Sequence, residues 1–168
     1  MILYIILALI LIYALFAVFI FMLEKKIDSL EEIIRMTFRF RTSLIPSLYE
    51  VTQDQFVKHE LIFRHILNLR MEEILHNRFV GDIEELIAIE SKIHKELNFI
   101  FKVSHKHNKL QKKAKFIYVR DLFVESSHSI GGKLELYKQI VAIYNNYITI
   151  KNYSIIGLLL PIKAKVQI

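Results

Sequence analysis

The pattern of hydrophobic positions changes character at Leu23. Met1–Leu23 is apolar throughout apart from the phenols of Tyr4 and Tyr13, and it holds no charge, Pro or Gly. From Glu24 onward the pattern becomes that of a helix with one apolar face. Apolar residues recur at gaps of three and four: Leu30, Ile33, Ile34, Phe38 and Phe40, then Leu44, Leu48 and Val51, then Ile62, Ile66 and Leu69. This spacing predicts helix from Glu24 to about Phe79. Pro46 interrupts it, because a helical Pro removes one hydrogen bond and clashes one turn back. A kink or break is predicted near Thr42–Ile45, with Thr42 or Ser43 as the new N-cap.

The next stop is Phe79-Val80-Gly81-Asp82. Gly81 suits a left-handed C-terminal cap, and Asp82 with Glu85 makes a variant of the capping box. A second helix is predicted to run to about Ser104, with Ile83, Leu86, Ile87, Ile93, Leu97 and Ile100 inward. His105–Lys113 is polar and reads as a connection. The last long helix is predicted over about Gln111–Lys151, with Phe116, Val119, Phe123, Ile130, Leu134, Tyr137, Val141, Tyr144 and Ile148 inward. Gly131-Gly132 in its middle marks either a close helix approach or a kink. From Tyr153 on, the apolar run S-I-I-G-L-L-L-P-I is too short to span a bilayer, and is expected to pack on the bundle or lie at an interface.

Length settles the reading of the first segment. As a helix, Met1–Leu23 measures about 34 Å against about 30 Å of hydrocarbon. Sixteen of its residues are Leu, Ile, Phe or Val, which makes insertion favourable by about 5–10 kcal/mol. A cleaved signal peptide needs a basic start and a small-x-small cleavage site. Nothing basic precedes the run, and Ala14 and Ala17 are wrongly spaced. A core helix apolar on every face would need a larger domain around it. Lys25, Lys26, Arg35, Arg39 and Arg41 follow the run, so the positive-inside bias places the rest of the chain in the cytoplasm.

The expected fold is therefore all-α: an N-terminal transmembrane helix, then an antiparallel up-and-down bundle of three to four long helices. The divisions are 1–23 for the anchor, 24–152 for the bundle and 153–168 for an apolar tail. Four Gly and two Pro fit long helices with short connections. The absence of Cys decides nothing about compartment. The formal charge of +6 falls entirely outside the anchor.

Four constellations invite a chemical reading. Di-iron bundles use Glu-x-x-His on two helices, and Glu73/His76 and Glu125/His128 have that spacing. In a chain rich in Glu and His these pairs are close to chance, and solvated helix faces account for them. His59-Glu60 lacks the second His of a zinc-protease motif, and Glu60 instead reaches Arg64 as a helical ion pair. Lys102, Lys106, Lys109, Lys112, Lys113, Lys115 and Arg120 form a basic run without an acid. A solvated connection explains it; the functional alternative is an acidic partner or anionic lipid. Nucleic acid is not expected, since no recognition motif accompanies the charge. Tyr137 and Tyr144 lie two helical turns apart on one face. They are read as core residues with rim hydroxyls, Asn145 being a candidate partner, or else as a docking surface.

Three stretches carry a likeness: R-T-S-L-I-P-S-L-Y over Arg41–Tyr49, K-H-E-L-I-F-R-H-I-L-N-L-R over Lys58–Arg70, and Y-K-Q-I-V-A-I-Y-N over Tyr137–Asn145. With the anchor, they make the chain resemble a divergent member of the LemA family of bacterial membrane proteins. The matching residues are Arg41, Leu44, Ile45, Pro46, Leu48, His59, Glu60, Arg70, Tyr137, Tyr144 and Asn145. Ser43, Ser47 and Lys138 stand where the family has Asp, Asn and Asn, and Ser127 and Leu134 where it has Glu and Arg. The His-Glu pair falls one residue late relative to Pro46. The resemblance implies a membrane-anchored bundle of long antiparallel helices without established catalytic chemistry. A relative occurs in magnetosome membranes, which implies a role in membrane organisation.

The reading that follows is a single-pass cell-membrane protein, not an enzyme, that scaffolds or recruits other proteins. No cofactor is expected. The partners expected are the lipid bilayer and other membrane or cytoplasmic proteins, with self-association left open. The alternatives are a di-iron carboxylate enzyme and an anionic-lipid-binding membrane organiser.

Overall fold

Apolar periodicity without strand alternation gives helices alone among the described residues, which are 1–55, 60–78, 82–152 and 164–165 of the computed structural model. The elements are α1 (Ile2–Ser43), α2 (Ile45–Thr52), a 3-10 turn (Gln53–Gln55), α3 (Glu60–Arg78), α4 (Ile83–Ser104), α5 (Asn108–Gln111) and α6 (Ala114–Asn152). Gly81, His59, the side chain of His76 and nearly all of the 153–168 tail lie outside the described residues. By packing, the chain forms two units, one of residues 33–132 and the other of residues 1–32 with 133–168.

Pro46 acts as predicted, but gently. A single residue, Leu44, separates α1 from α2, and its backbone stays helical at φ −79° and ψ −16°. Pro46 lies in the first turn of α2, where the N–H it lacks would have had little use. The predicted caps are not made: no side chain caps α2 at Leu44. Thr42 and Ser43 still belong to α1, so their hydroxyls fold back onto carbonyls of the preceding turn, Phe38 at 3.1 Å and Phe40 at 2.6 Å. A second interruption was not predicted. The apolar stripe lapses at Thr52-Gln53-Asp54-Gln55, and the chain tightens there into the 3-10 turn. With no apolar side chain to bury, that turn has nothing to hold it in α-helical register.

The unit of residues 33–132 is built on one core. Ile45, Leu48 and Val51 of α2, Phe63, Ile66 and Leu69 of α3, and Ile89, Ile93, Leu97 and Ile100 of α4 meet Leu110 of α5 and Phe116, Val119 and Phe123 of α6. Helices α3 and α4 run antiparallel. His65 pairs with Glu96, while further along α3 Glu73 acts on Glu90, which lies earlier in α4. Asp82 starts α4 as predicted, its carboxylate accepting from the Glu84 N–H at 3.3 Å. Phe101 sets its ring against Phe116 and Phe123, fixing α4 on α6. The predicted connection contains α5, whose Leu110 is fully buried.

In the other unit, α1 and α6 lie side by side and antiparallel. Glu31 meets Tyr137, and earlier in α1 Phe16 and Phe19 meet Tyr147, later in α6. Ile20, Ile27, Val141 and Tyr144 are fully buried between them. Among the described residues, the only stretch long and apolar enough to cross a membrane is in α1. Two expectations for these long helices need correction. Ile33 and Phe40 are exposed; burial follows Ile34, Phe38 and Arg41 instead. Helix α6 runs unbroken through Gly131-Gly132, and a Cβ at either would meet open space, so the pair serves no close helix approach.

Candidate functional site

Four buried polar residues from three helices meet in one cluster, and only two of them, Arg41 and Glu73, belong to a sequence motif. Near the end of α1, Arg41 and Thr42 turn into the unit of residues 33–132, where Glu73 of α3 and Glu90 of α4 meet them; all four are buried. The Arg41 guanidinium is ion-paired with Glu90 Oε2 and also donates to the Glu90 backbone carbonyl at 3.4 Å. The Thr42 hydroxyl lies 3.1 Å from Glu73 Oε2. The last residues of α1 are thereby held to both helices of the α3–α4 pair. Glu90 Oε1 and Arg41 Nε are buried without a hydrogen-bond partner, so the pair is incompletely satisfied.

Electrostatics sharpen this picture. Burial pushes the Glu90 carboxyl up from 4.5 to about 7; Arg41 pulls it down and Glu73 adds to the rise. Desolvation outweighs the ion pair here, as it does for many buried charges. His94, one turn further along α4, is pushed below its ordinary value by burial and by the Arg41 charge. The cluster is a buried brace that ties the end of α1 to α3 and α4.

Glu90 left a trace in the sequence that motif matching passed over, and Glu73, marked there only as half of a Glu-x-x-His pair, left the same trace. Glu90 falls on the inward register of α4 between Leu86 and Ile93, and Glu73 continues the stripe of Ile66 and Leu69 on α3. An acid on an apolar stripe is a signal for a buried partner.

The other predicted residues separate into three groups. Arg41, Ile45 and Leu48 are buried and Leu44 is half-buried, while Pro46 is exposed. Arg70 is half-buried, with its Nε lacking an acceptor. Glu60 is exposed and pairs with Arg64 at 2.8 Å. Glu125 and His128 are exposed, whereas Glu73 is committed to the buried cluster, so the two Glu-x-x-His pairs do not share a face. Among the described residues no group of three or more His, Asp and Glu is placed to hold a metal ion.

Tyr137 and Tyr144 are buried, and the docking-surface alternative falls with that. The Tyr137 hydroxyl donates to Glu31 at 3.0 Å rather than to Asn145. The Asn145 amide instead clasps the backbone of Lys165, accepting its N–H at 2.9 Å and donating to its carbonyl at 2.7 Å. Lys165 then reaches Asp28 at 2.9 Å. Burial alone would lower its ammonium, but Asp28, with Glu31 and Glu24, raises it above its ordinary value.

In the basic run, Lys102, Lys106, Lys109, Lys112, Lys113 and Lys115 are all exposed. Lys115 pairs with Glu50 at 2.7 Å, and Arg120 with Asp121 at 2.8 Å. The others form no ion pair among the described residues. The unpaired charge is thus concentrated around α5, on Lys102, Lys106, Lys109, Lys112 and Lys113.

Comparison with known proteins gives one positive result. The family model described as the LemA family matches residues 31–166. That range contains the Arg41–Glu90 cluster, the basic run and all of α6, and it leaves out the apolar start of α1. Neither the curated proteins nor the solved structures yield a match.

Proposed function

This chain belongs to the LemA family, and from that premise we propose that it is a single-pass, membrane-anchored scaffold that recruits other proteins. The observation that carries the reading is α1. Its most apolar stretch is long enough to cross a bilayer, and only 6 % of that stretch is buried inside the protein. A helix so exposed in water would be costly, and lipid supplies the missing cover. The basic residues that follow favour a cytoplasmic bundle.

The recruiting surface is the lysine cluster around α5. Its five ammonium groups without an ion pair suit an acidic protein surface, and they flank α5, which the buried Leu110 holds in place. No catalytic step belongs to this reading. A photoreactive residue at Lys109 in intact cells, compared with one at exposed Ala88 on α4, tests it. A protein adduct specific to position 109, lost when Lys106, Lys112 and Lys113 become Gln, is the expected result. Absence of any such adduct refutes recruitment through this surface. Salt-sensitive co-sedimentation with anionic vesicles, lost in the same variants, would favour a lipid organiser instead. Stoichiometric iron in the purified protein would favour the di-iron enzyme.

A further inference from the structure

The charge boundary of α1 and the packing of its unit disagree about where the membrane ends, and the disagreement is informative. The apolar run closes at Leu23, where Glu24, Lys25 and Lys26 begin. Lys25 sets its ammonium over the Phe21 ring, 5.3 Å from the centroid, as a cation–π pair. Counting back from Leu23 at about 1.5 Å per residue, Phe19 lies about 6 Å and Phe16 about 10 Å inside that boundary. Yet the ring of Tyr147 on α6 packs against both, at 5.0 Å from Phe19 and 5.8 Å from Phe16. Ile20, also within the run, is fully buried by protein. Helix α6 then continues past Tyr147 to Asn152, toward still deeper levels of α1.

From this we infer that the last two turns of α6 enter the bilayer that α1 crosses, and that their exposed face contacts phospholipid. This rests on the anchor reading above. The interfacial layer on each side of a bilayer is about 5–8 Å thick, so Tyr147 stands near its inner edge and Ile150, about 5 Å further along α6, lies beneath it. The side chains suit it. Leu136, Ile143 and Ile150 recur every seven residues along one face of α6, and their exposure rises from 42 % through 45 % to 59 % toward the deep end. Phe16, Phe19 and Tyr147 gather near this level, as aromatic residues do at membrane boundaries. Polar groups here are largely satisfied internally: Thr149 donates to the Asn145 carbonyl at 2.9 Å, and the Asn145 amide is engaged by Lys165. Asn146 remains exposed, which headgroups and interfacial water accommodate. The protein therefore grips its membrane with the end of α6 as well as with the span.

The chain has no cysteine, so single-cysteine variants report position directly. Leu136→Cys, Ile143→Cys, Ile150→Cys and Ile10→Cys would be reconstituted as the full chain in phosphatidylcholine–phosphatidylglycerol liposomes and reacted with a bilayer-impermeant maleimide. Leu136 serves as the reference for outward-facing chains. The expected result is that Ile150 reacts at least ten-fold more slowly than Leu136, with Ile143 between them. A fluorophore at Ile150 should also be quenched by lipid carrying a nitroxide on its acyl chain. If Ile10 is protected but Ile150 reacts as fast as Leu136, the seating of α6 is refuted and the anchor stands. Slow reaction at Ile150 without lipid quenching refutes it too, since protein rather than lipid would then cover the site. If Ile10 itself reacts freely, the anchor reading fails and takes this inference with it.

Discussion

Replacing Glu90 by Gln tests which of two opposing effects governs the buried cluster. The carboxyl is raised from 4.5 to about 7, chiefly by burial and against the pull of Arg41. A raised carboxyl means the folded protein holds a proton that the unfolded chain has released. Its contribution to stability is then complete below about pH 4.5 and is lost as pH rises through about 7. At about 1.4 kcal/mol per pH unit, that interval amounts to about 3 kcal/mol. Gln resembles the protonated carboxyl and cannot ionise. Glu90→Gln is therefore expected to be close to wild type at pH 5 and more stable than it by up to about 3 kcal/mol at pH 8. His94 titrates in the opposite sense, since a lowered imidazole removes stability as pH falls. It is present in both proteins, so the difference between them isolates Glu90. The assay is urea unfolding followed by circular dichroism at 222 nm, on the full chain in non-ionic detergent, at constant ionic strength from pH 5 to 8. If the ion pair dominates instead, Glu90→Gln leaves a buried guanidinium uncompensated and loses about 3–5 kcal/mol at pH 8. That outcome, or a difference that does not change with pH, refutes the reasoning.

Gly131→Ala and Gly132→Ala should each stabilise α6 by about 0.5–1 kcal/mol, because the helix passes through both with open space at the Cβ position; thermal unfolding checks this, and a loss of stability would mean the glycines are needed. Tyr137→Phe removes the hydrogen bond to Glu31 and should cost about 1 kcal/mol, measured by the same urea titration; no change would show that the bond contributes nothing net. Ile10→Arg should weaken insertion of α1 by about 3 kcal/mol, seen as protein released from membranes by carbonate washing that leaves wild type in place; unchanged retention of the variant would argue against a span centred there.

Local properties of this chain were legible before any packing was known. Insertion energy is a sum over residues, so the uncharged Met1–Leu23 run declared a membrane-length helix without reference to the rest of the protein. The Asp82 cap and the interruption at Pro46 are short-range backbone chemistry, and both appear where their residues demand them. Periodicity marked most of the core, from Leu48 and Val51 to Val141 and Tyr144. It failed where the stripe is wide: Ile33 and Phe40 fit a helical period but face outward, because which side of α1 is covered depends on its neighbours. The chemistry of the cluster was of that second kind. Arg41 was marked only by resemblance, and nothing local tells it that Glu90, 49 residues away along the chain, is its partner. Likewise Tyr137 finds Glu31 and Asn145 finds the Lys165 backbone across separations that no sequence spacing encodes. The hydropathy of a segment is carried by the segment itself. The partner of a buried charge is set by which helix faces meet, and only the packed structure decides that.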